Sequence, residues 1–206
     1  MYGTSIDLWV GFVVVLTEAL IGVSLGIIAG YYGGPVDKAI SAIADMIWAL
    51  PGIVLALAIV VVIGPGLTQV VIALALVSWP VFTRVIRAKV QSLASREFVL
   101  AAKAIGESDL SIILRYLLPN VVPTIMVLAT LTLPSAILSA TALSFLGFGA
   151  QPPSPEWGAM LSDAADQLAI APWAATFPGL FIVITCLGFN MLGDGLRDLL
   201  DPKLKV

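Results

Sequence analysis

Apolar runs of about 20 residues dominate this 206-residue chain and restrict its fold more than any other feature. Hydrophobic residues make up 60% of the sequence and charged residues 11%, whereas a soluble domain carries roughly 25% charged residues. A helix of about 20 apolar residues crosses the hydrocarbon core of a bilayer. The runs that we interpret as spans cover residues 8–32, 43–63, 67–83, 121–146 and 173–193. The sequence therefore predicts an all-α, polytopic membrane helical bundle with about five transmembrane helices, folded as a single domain over residues 1–206.

The charges are distributed unequally between the two ends of this bundle. With five spans, all ten basic residues fall at one end: Lys38, Arg84, Arg87, Lys89, Arg96, Lys103, Arg115, Arg197, Lys203 and Lys205. The opposite loop, residues 147–172, carries Glu156, Asp163 and Asp166 and no basic residue. Basic residues are retained on the cytoplasmic side of a membrane. We therefore expect a multi-pass protein of the inner or plasma membrane, with residues 84–119 and the C-terminal tail in the cytoplasm.

Residues 84–119 form the one long polar stretch, and their pattern predicts two short helices around a corner. Ser95 is a candidate N-cap of the first helix. Gly106 stands where a helix favours a left-handed C-terminal residue. Ser108 restarts a helix, and Pro119 is expected to end it because the residue before a proline is disfavoured in the helical region.

The first of these short helices has one apolar stripe, formed by Phe98, Ala101, Ala102 and Ile105 at helical spacing. An exposed stripe of this kind suits docking into a groove of a partner protein. The alternative is an amphipathic connector that lies on the membrane surface, since such helices also combine basic residues with an apolar face. A DNA-binding helix-turn-helix is a poor interpretation, because the stretch lies between two spans and is acidic at its turn.

The first span contains an acidic residue and a ridge of glycines. Gly22, Gly26 and Gly30 recur every four residues, a spacing that favours close packing of two membrane helices. Glu18 lies near the middle of the span, where an ionisable side chain is costly and is a candidate for a role in the pathway. The alternative is a Glu18 that faces the bundle and has a local partner.

Three prolines within spans and one tryptophan of the outer loop are further candidates for pathway or gating residues. Pro51, Pro80 and Pro134 each interrupt helical hydrogen bonding, either to give flexible, pore-lining helices or simply to shape the bundle. Trp157 begins an amphipathic piece of the outer loop. It could plug the mouth of a pathway, or it could mark an interfacial helix that seals the bundle.

The sequence offers little for catalysis. It has no His, a single Cys at position 186, no phosphate-binding G-x-x-x-x-G-K-[ST] and no nucleophile elbow. We therefore expect no enzymatic activity, no cofactor, no metal site and no binding of nucleic acid.

The polar stretch resembles the EAA motif of ABC importer permeases, through Ala101-Ala102-x-x-x-Gly106 and the later Leu118-Pro119. It departs from that motif at Leu100, where Glu is expected, and at Tyr116, where Ile is usual. Glu97 lies one turn earlier than the expected Glu. In that family the motif forms cytoplasmic coupling helices that dock on the ATPase subunit. The resemblance implies that the residues contacting the ATPase are Glu97, Leu100, Ala101, Ala102, Gly106, Leu118 and Pro119.

Further segments resemble the branch of the family that imports dipeptides, oligopeptides or nickel, and within it the C-type permease. These segments are Leu143–Gly149, Gln151–Pro153, Glu156–Gly158 and Phe189–Pro202. The resemblance implies the type I permease fold of ABC importers. It also implies that this chain lacks the first span that family members carry before the region matched here.

The same resemblance implies the partners: a homologous B-type permease, two ABC ATPases that hydrolyse the ATP, an extracytoplasmic substrate-binding protein and membrane lipid. The expected function is transport of dipeptides or oligopeptides through a pathway shared with the second permease. Import of nickel or another small solute is an alternative, disfavoured by the absence of imidazole. A passive channel or a structural membrane subunit is the rival of another class, and it would have no need of a docking helix.

Overall fold

The computed structural model describes residues 2–151 and 153–200, and the described residues form helices and connecting turns with no strand. The helices are α1 (Tyr2–Tyr32), α2 (Gly34–Trp48), α3 (Gly52–Ile63), α4 (Leu67–Ser78), α5 (Pro80–Ala94), α6 (Glu97–Ala104), α7 (Asp109–Ile112), α8 (Leu118–Phe145), α9 (Trp157–Ala165) and α10 (Trp173–Leu200). A π-helical segment, Ile113–Leu117, joins α7 to α8. The predicted all-α class is confirmed.

Four of the described helical units are long and apolar enough to cross a membrane: Gly3–Tyr32, Leu67–Ala94, Asp109–Phe145 and Trp173–Leu200. A fifth is possible if α2 and α3 together form one span, although their axes differ by 86°. The helical units are longer than the apolar runs suggested. The unit that begins at Leu67 extends to Ala94 rather than to residue 83, so the first residues of the polar stretch continue a long helix.

The second predicted span, residues 43–63, is not a continuous helix. The chain leaves the helical conformation after Trp48, and Pro51 is the N-cap of α3 with φ −57° and ψ 122°. Proline has no N–H to donate to the preceding turn and restricts the residue before it, so α2 ends there and α3 starts in a new direction. Alone, the 12-residue α3 extends only about 18 Å, which is less than the hydrocarbon thickness of about 30 Å.

Pro119 does not end a helix, contrary to the prediction. Leu118 keeps helical angles (φ −55°, ψ −48°), and its N–H donates to the carbonyl of Ile113, five residues earlier. A π turn of this kind is wider than an α turn. It accommodates the proline at the start of α8, so the helix runs on from Asp109 to Phe145.

The glycine ridge of α1 packs directly on α5. A Cβ on Gly22 would lie 2.5 Å from the Cβ of Phe82, and one on Gly30 would lie 2.8 Å from the Cβ of Val90. The hydroxyl of Thr83 donates to the carbonyl of Gly22 at 3.1 Å. Only glycine allows two helix backbones to approach this closely, which confirms the packing predicted from the spacing.

The core consists of two apolar clusters stacked along the bundle. The larger one contains Val14, Val60 and Phe82 and extends to Trp157. The smaller one is formed by Ile27, Tyr31, Ile86, Val90, Val99, Ala102, Ile112, Leu117 and Val121. This second cluster attaches α6 and α7 to the ends of α1, α5 and α8, and so holds the polar stretch against the bundle.

Candidate coupling surface and pathway residues

The corner at Gly106 is the best-defined feature of the polar stretch. Gly106 has φ 82°, and its N–H donates to the carbonyl of Lys103 at 3.0 Å. The N–H of Glu107 donates to the carbonyl of Ala102 at 3.1 Å. These two bonds form a Schellman motif, which satisfies carbonyls at the end of α6. The predicted left-handed glycine is confirmed.

The two N-caps of the stretch differ from one another. Ser108 caps α7 as predicted, accepting from the N–H of Ser111 at 3.4 Å. The predicted cap at Ser95 is wrong, because Ser95 is the C-cap of α5, and the extended residue that precedes α6 is Arg96. Ser95 instead donates its hydroxyl to the carbonyl of Ser92 at 3.1 Å.

Side chains brace the corner in a way that the sequence pattern did not indicate. Glu107 accepts hydrogen bonds from the hydroxyls of Ser111 and Tyr116, both at 2.9 Å. The ring of Tyr116 stacks on Phe98 of α6, with centroids 6.4 Å apart. Tyr116, the residue that departs from the family motif, therefore connects the π segment to both sides of the corner.

A second brace connects the stretch to the first helix. The hydroxyl of Tyr31 donates to Asp109 at 2.6 Å, and the ammonium group of Lys103 lies 4.5 Å from the centre of the Tyr31 ring. A cation over an aromatic face is attracted to it. Because Tyr31 and Asp109 are 78 residues apart, no local pattern could have paired them.

The apolar stripe of α6 is divided between an inner and an outer side. Val99 and Ala102 are buried against the bundle, whereas Leu100 and Ile105 are exposed. We use the name coupling surface for the exposed residues Glu97, Leu100, Ala101 and Ile105. Ala102, predicted to belong to the exposed stripe, faces inward because the smaller core cluster occupies that side of the helix. The other predicted contact residues lie at the start of α8, where Leu118 is half-buried and Pro119 exposed.

Glu18 is buried within the bundle, with 3% of its surface exposed. The side chain of Ser78, at the end of α4, is the neighbouring polar group. A buried acid beside a hydroxyl of a neighbouring helix matches the alternative of a bundle-facing Glu18 with a local partner.

The three prolines occupy different environments. Pro51 is exposed at the bend between α2 and α3. Pro80 is buried at the first position of α5, which continues the direction of α4 closely enough to form one unit. Pro134 is buried inside α8, with the Cys186 thiol 3.8 Å from its carbonyl oxygen. Of the three, only Pro51 coincides with a sharp change of direction.

Trp157 lies in the core and not on a surface, in contrast to the expected plug or interfacial position. Only 2% of it is exposed, and its ring stacks on Phe181 of α10 at 6.2 Å. Its backbone N–H donates to the buried Asp7 of α1 at 3.1 Å. Glu156 is also buried and accepts from the N–H of Ala159 at 2.9 Å, which caps α9. The larger core cluster extends to this end of the bundle and takes up the indole ring.

Within residues 2–151 and 153–200, no group of three or more His, Cys, Asp or Glu side chains converges.

The sequence matches a known family of membrane proteins. Residues 22–206 match the family described as the binding-protein-dependent transport system inner membrane component. The chain belongs to this family. It is therefore a multi-pass inner-membrane permease subunit of an ABC transporter, with the type I permease fold expected from the resemblance.

Curated relatives match along the whole chain. The dipeptide transport system permease protein DppC of Alkalihalophilus pseudofirmus is 51% identical over 205 residues, which cover 100% of this chain and 67% of the relative. The glutathione transport system permease proteins GsiD of Pectobacterium atrosepticum and Escherichia coli O6:K15:H31 are 46% and 49% identical, again over 100% of this chain and 68% of theirs.

Solved structures share the fold at low sequence identity. An inward-facing MetNI methionine ABC transporter matches 97% of this chain and 94% of its own, with a TM-score of 0.75 and 20% identity. An amino acid ABC transporter with histidines matches 98% and 91%, with a TM-score of 0.64 and 18% identity.

Proposed function

We propose that this chain is the permease subunit of an ATP-driven importer of short peptides, and that the coupling surface on α6 receives the movement of an ATPase partner. The relatives named above are permeases for dipeptides and for glutathione, which is itself a short peptide. The chemistry common to both cargoes is a short backbone with a free carboxylate and a free amino group. Nickel or another small solute remains the alternative cargo.

The observation that carries the proposal is an exposed apolar surface on a helix that is firmly attached to the bundle. Leu100 and Ile105 are 52% and 77% exposed. On the other side of the same helix, Val99 and Ala102 are buried in the smaller core cluster. A helix that transmits force needs a free face for its partner and an anchored face for its own bundle. A passive channel or a structural subunit needs neither.

We further propose how the subunit is placed and assembled. The basic end, including the coupling surface and the C-terminal end of α10, faces the cytoplasm, and the loop around α9 faces outward. The tail predicted to be cytoplasmic continues into residues 201–206, which lie outside the described residues. Two ABC ATPases bind at the basic end and hydrolyse the ATP, a homologous B-type permease completes the pathway, and a substrate-binding protein delivers cargo from outside. Membrane lipid surrounds the assembly, and nucleic acid has no part in it.

Among the remaining candidates, we propose that Pro51 is the hinge residue for gating. It lies between α2 and α3, and α2 is attached to α5 through two ion pairs, Asp45 with Arg84 and Asp37 with Arg87. Movement of α5 would therefore be passed to α2 and concentrated at the bend. Glu18, Pro80, Pro134 and Trp157 are all buried, so we assign them a role in shaping the helices of the bundle and not in lining the pathway.

The proposal is tested by co-expressing the chain with a B-type permease and two ATPases, followed by purification in mild detergent. We expect a stable complex whose ATPase activity rises with peptide-loaded binding protein. Stimulation by nickel-loaded binding protein, and not by the peptide-loaded form, would favour the alternative cargo. A chain that assembles with no ATPase would contradict the proposal.

A matched pair of variants tests the coupling surface directly. Leu100→Glu places a charge on it, whereas Leu168→Glu places the same charge on the outer loop at a leucine of equal exposure, 52% in both cases. We expect Leu100→Glu to lose the ATPases during purification and Leu168→Glu to retain them. Equal retention by both variants would mean that α6 is a membrane-surface connector.

A further inference from the structure

A cavity of about 420 Å³ lies between α5, α8 and α10 at the basic end of the bundle. The polar residues that line it are Lys89, Arg197 and Thr124. The rest of its wall is mainly aliphatic and includes Val127 and Leu131. No acidic side chain is among the described residues that line it.

The basic side chains of α5 differ in whether they have an acidic partner. Toward α2, Arg84 contacts Asp45 at 2.5 Å, and Arg87 forms a two-pronged pair with Asp37. Lys89 lies on another face, and neither it nor Arg197 forms an ion pair or a hydrogen bond with any residue in 2–151 or 153–200. The cavity therefore brings together two cations whose charge the described chain leaves uncompensated.

Lys89 and Arg197 are exposed to the opening of this half-apolar cavity, and two cations without an acidic partner attract an anion. The aliphatic wall favours an anion attached to an apolar body over a fully hydrated one. Acidic phospholipids have this chemistry, and basic pockets between membrane helices on the cytoplasmic side bind their headgroups. We propose that the cavity is a binding site for the phosphate group of an acidic phospholipid, held by Lys89 and Arg197. The placement in the inner leaflet depends on the orientation given under Proposed function, but the site itself does not.

Native mass spectrometry of the purified 206-residue chain in mild detergent tests the site without any partner subunit. The chain is titrated with phosphatidylglycerol and, separately, with phosphatidylcholine of the same acyl chains. We expect one phosphatidylglycerol to bind more tightly than phosphatidylcholine. Each cation removed should weaken its binding by roughly fivefold, so Lys89→Gln/Arg197→Gln should weaken it by about 25-fold.

The control is Lys38→Gln/Arg115→Gln, which removes one lysine and one arginine that do not line the cavity. This variant should retain the tight phosphatidylglycerol. Equal loss in the two double variants, or no loss in either, would overturn the proposal. Binding of sn-glycerol 3-phosphate as tight as that of the intact lipid would also overturn it, since the apolar wall would then contribute nothing. A failure to assemble with ATPases has no influence on this measurement.

Discussion

Each end of the bundle has a short helix between longer ones, α6 at the basic end and α9 at the other. The two helices differ in how they are capped and in which side chains they bury. At the end opposite the basic one, α9 starts with a buried Glu156 cap and places Trp157 in the core. At the basic end, α6 has no side-chain cap and leaves Leu100 and Ile105 exposed. The N-terminus of α9 is thus capped and buried within its own chain, whereas α6 is anchored on one side and exposed on the other. Two helices of similar length therefore differ in how much of their surface is buried, and the exposed face of α6 is the feature on which its proposed docking role rests.

The largest expected effect is a loss of stability at Trp157 of α9. Trp157→Ala removes a 2%-exposed indole from the core and should cost about 3–5 kcal/mol of unfolding free energy. Trp173→Ala, at a tryptophan that is 60% exposed, should cost far less. Thermal unfolding of both variants in the same detergent measures the difference. Equal losses would mean that α9 is no better supported than the exposed start of α10.

A charge at Ile105 tests whether the exposed side chains at the basic end bind the ATPase. Ile105→Glu should leave the stability of the isolated chain nearly unchanged but weaken ATPase binding by about 2 kcal/mol, because an apolar contact would be replaced by a buried charge. The matched control is Ile170→Glu, between α9 and α10, where the side chain is also highly exposed. Co-purification with labelled ATPases measures how much ATPase each variant retains relative to the unmodified chain. Loss of stability without loss of binding would place Ile105 in the bundle and not on the coupling surface.

The corner itself is expected to be less sensitive. Gly106 has φ 82° and open space around the position of a Cβ, so Gly106→Ala should cost about 1 kcal/mol through backbone strain alone. Gly195→Ala, inside α10 and also without neighbours at that position, should be neutral or slightly stabilising because alanine favours a helix. Chemical denaturation of the two variants should therefore give changes of opposite sign or clearly different size.

The smallest expected effect is at the cap of α7. Ser108→Ala removes a solvent-exposed hydrogen bond of 3.4 Å and should cost about 0.5 kcal/mol, the lower end of the range for N-caps. Ser92→Ala on the exposed surface of α5 is the control and should change almost nothing. A loss above about 2 kcal/mol at Ser108 would show that this cap supports the whole corner, as Glu156 does for α9.

Local features of the polar stretch could be predicted because they depend on residues adjacent in sequence. The left-handed glycine at position 106 and the Ser108 cap follow from backbone sterics and from hydrogen bonds within one turn. The predictions at Ser95 and Pro119 were wrong for a different reason. Each assumed that a helix stops at the nearest local signal, whereas α5 extends to Ala94 and a π turn carries the chain through Pro119.

The candidate site was predictable in its position but not in its orientation. The motif indicated which residues belong to α6, yet the direction in which each one points depends on surfaces from α1, α5 and α8. The bracing contacts could not be predicted from the sequence either. Tyr31 and Asp109 are 78 residues apart, and Asp7 and the backbone of Trp157 are 150 residues apart. Two residues that later become neighbours carry no shared pattern when the chain between them is this long.

By itself the sequence determined the membrane class, the helical content, the charge difference between the ends and the close seam along Gly22 and Gly30. These are consequences of apolar length, of backbone hydrogen bonding in lipid and of the absence of a Cβ, all of which act on consecutive or regularly spaced residues. Only the tertiary structure decided that Trp157 is buried, that Ala102 faces inward and that Lys89 and Arg197 share a cavity. Burial is a property of two surfaces, and the second surface always came from another part of the chain.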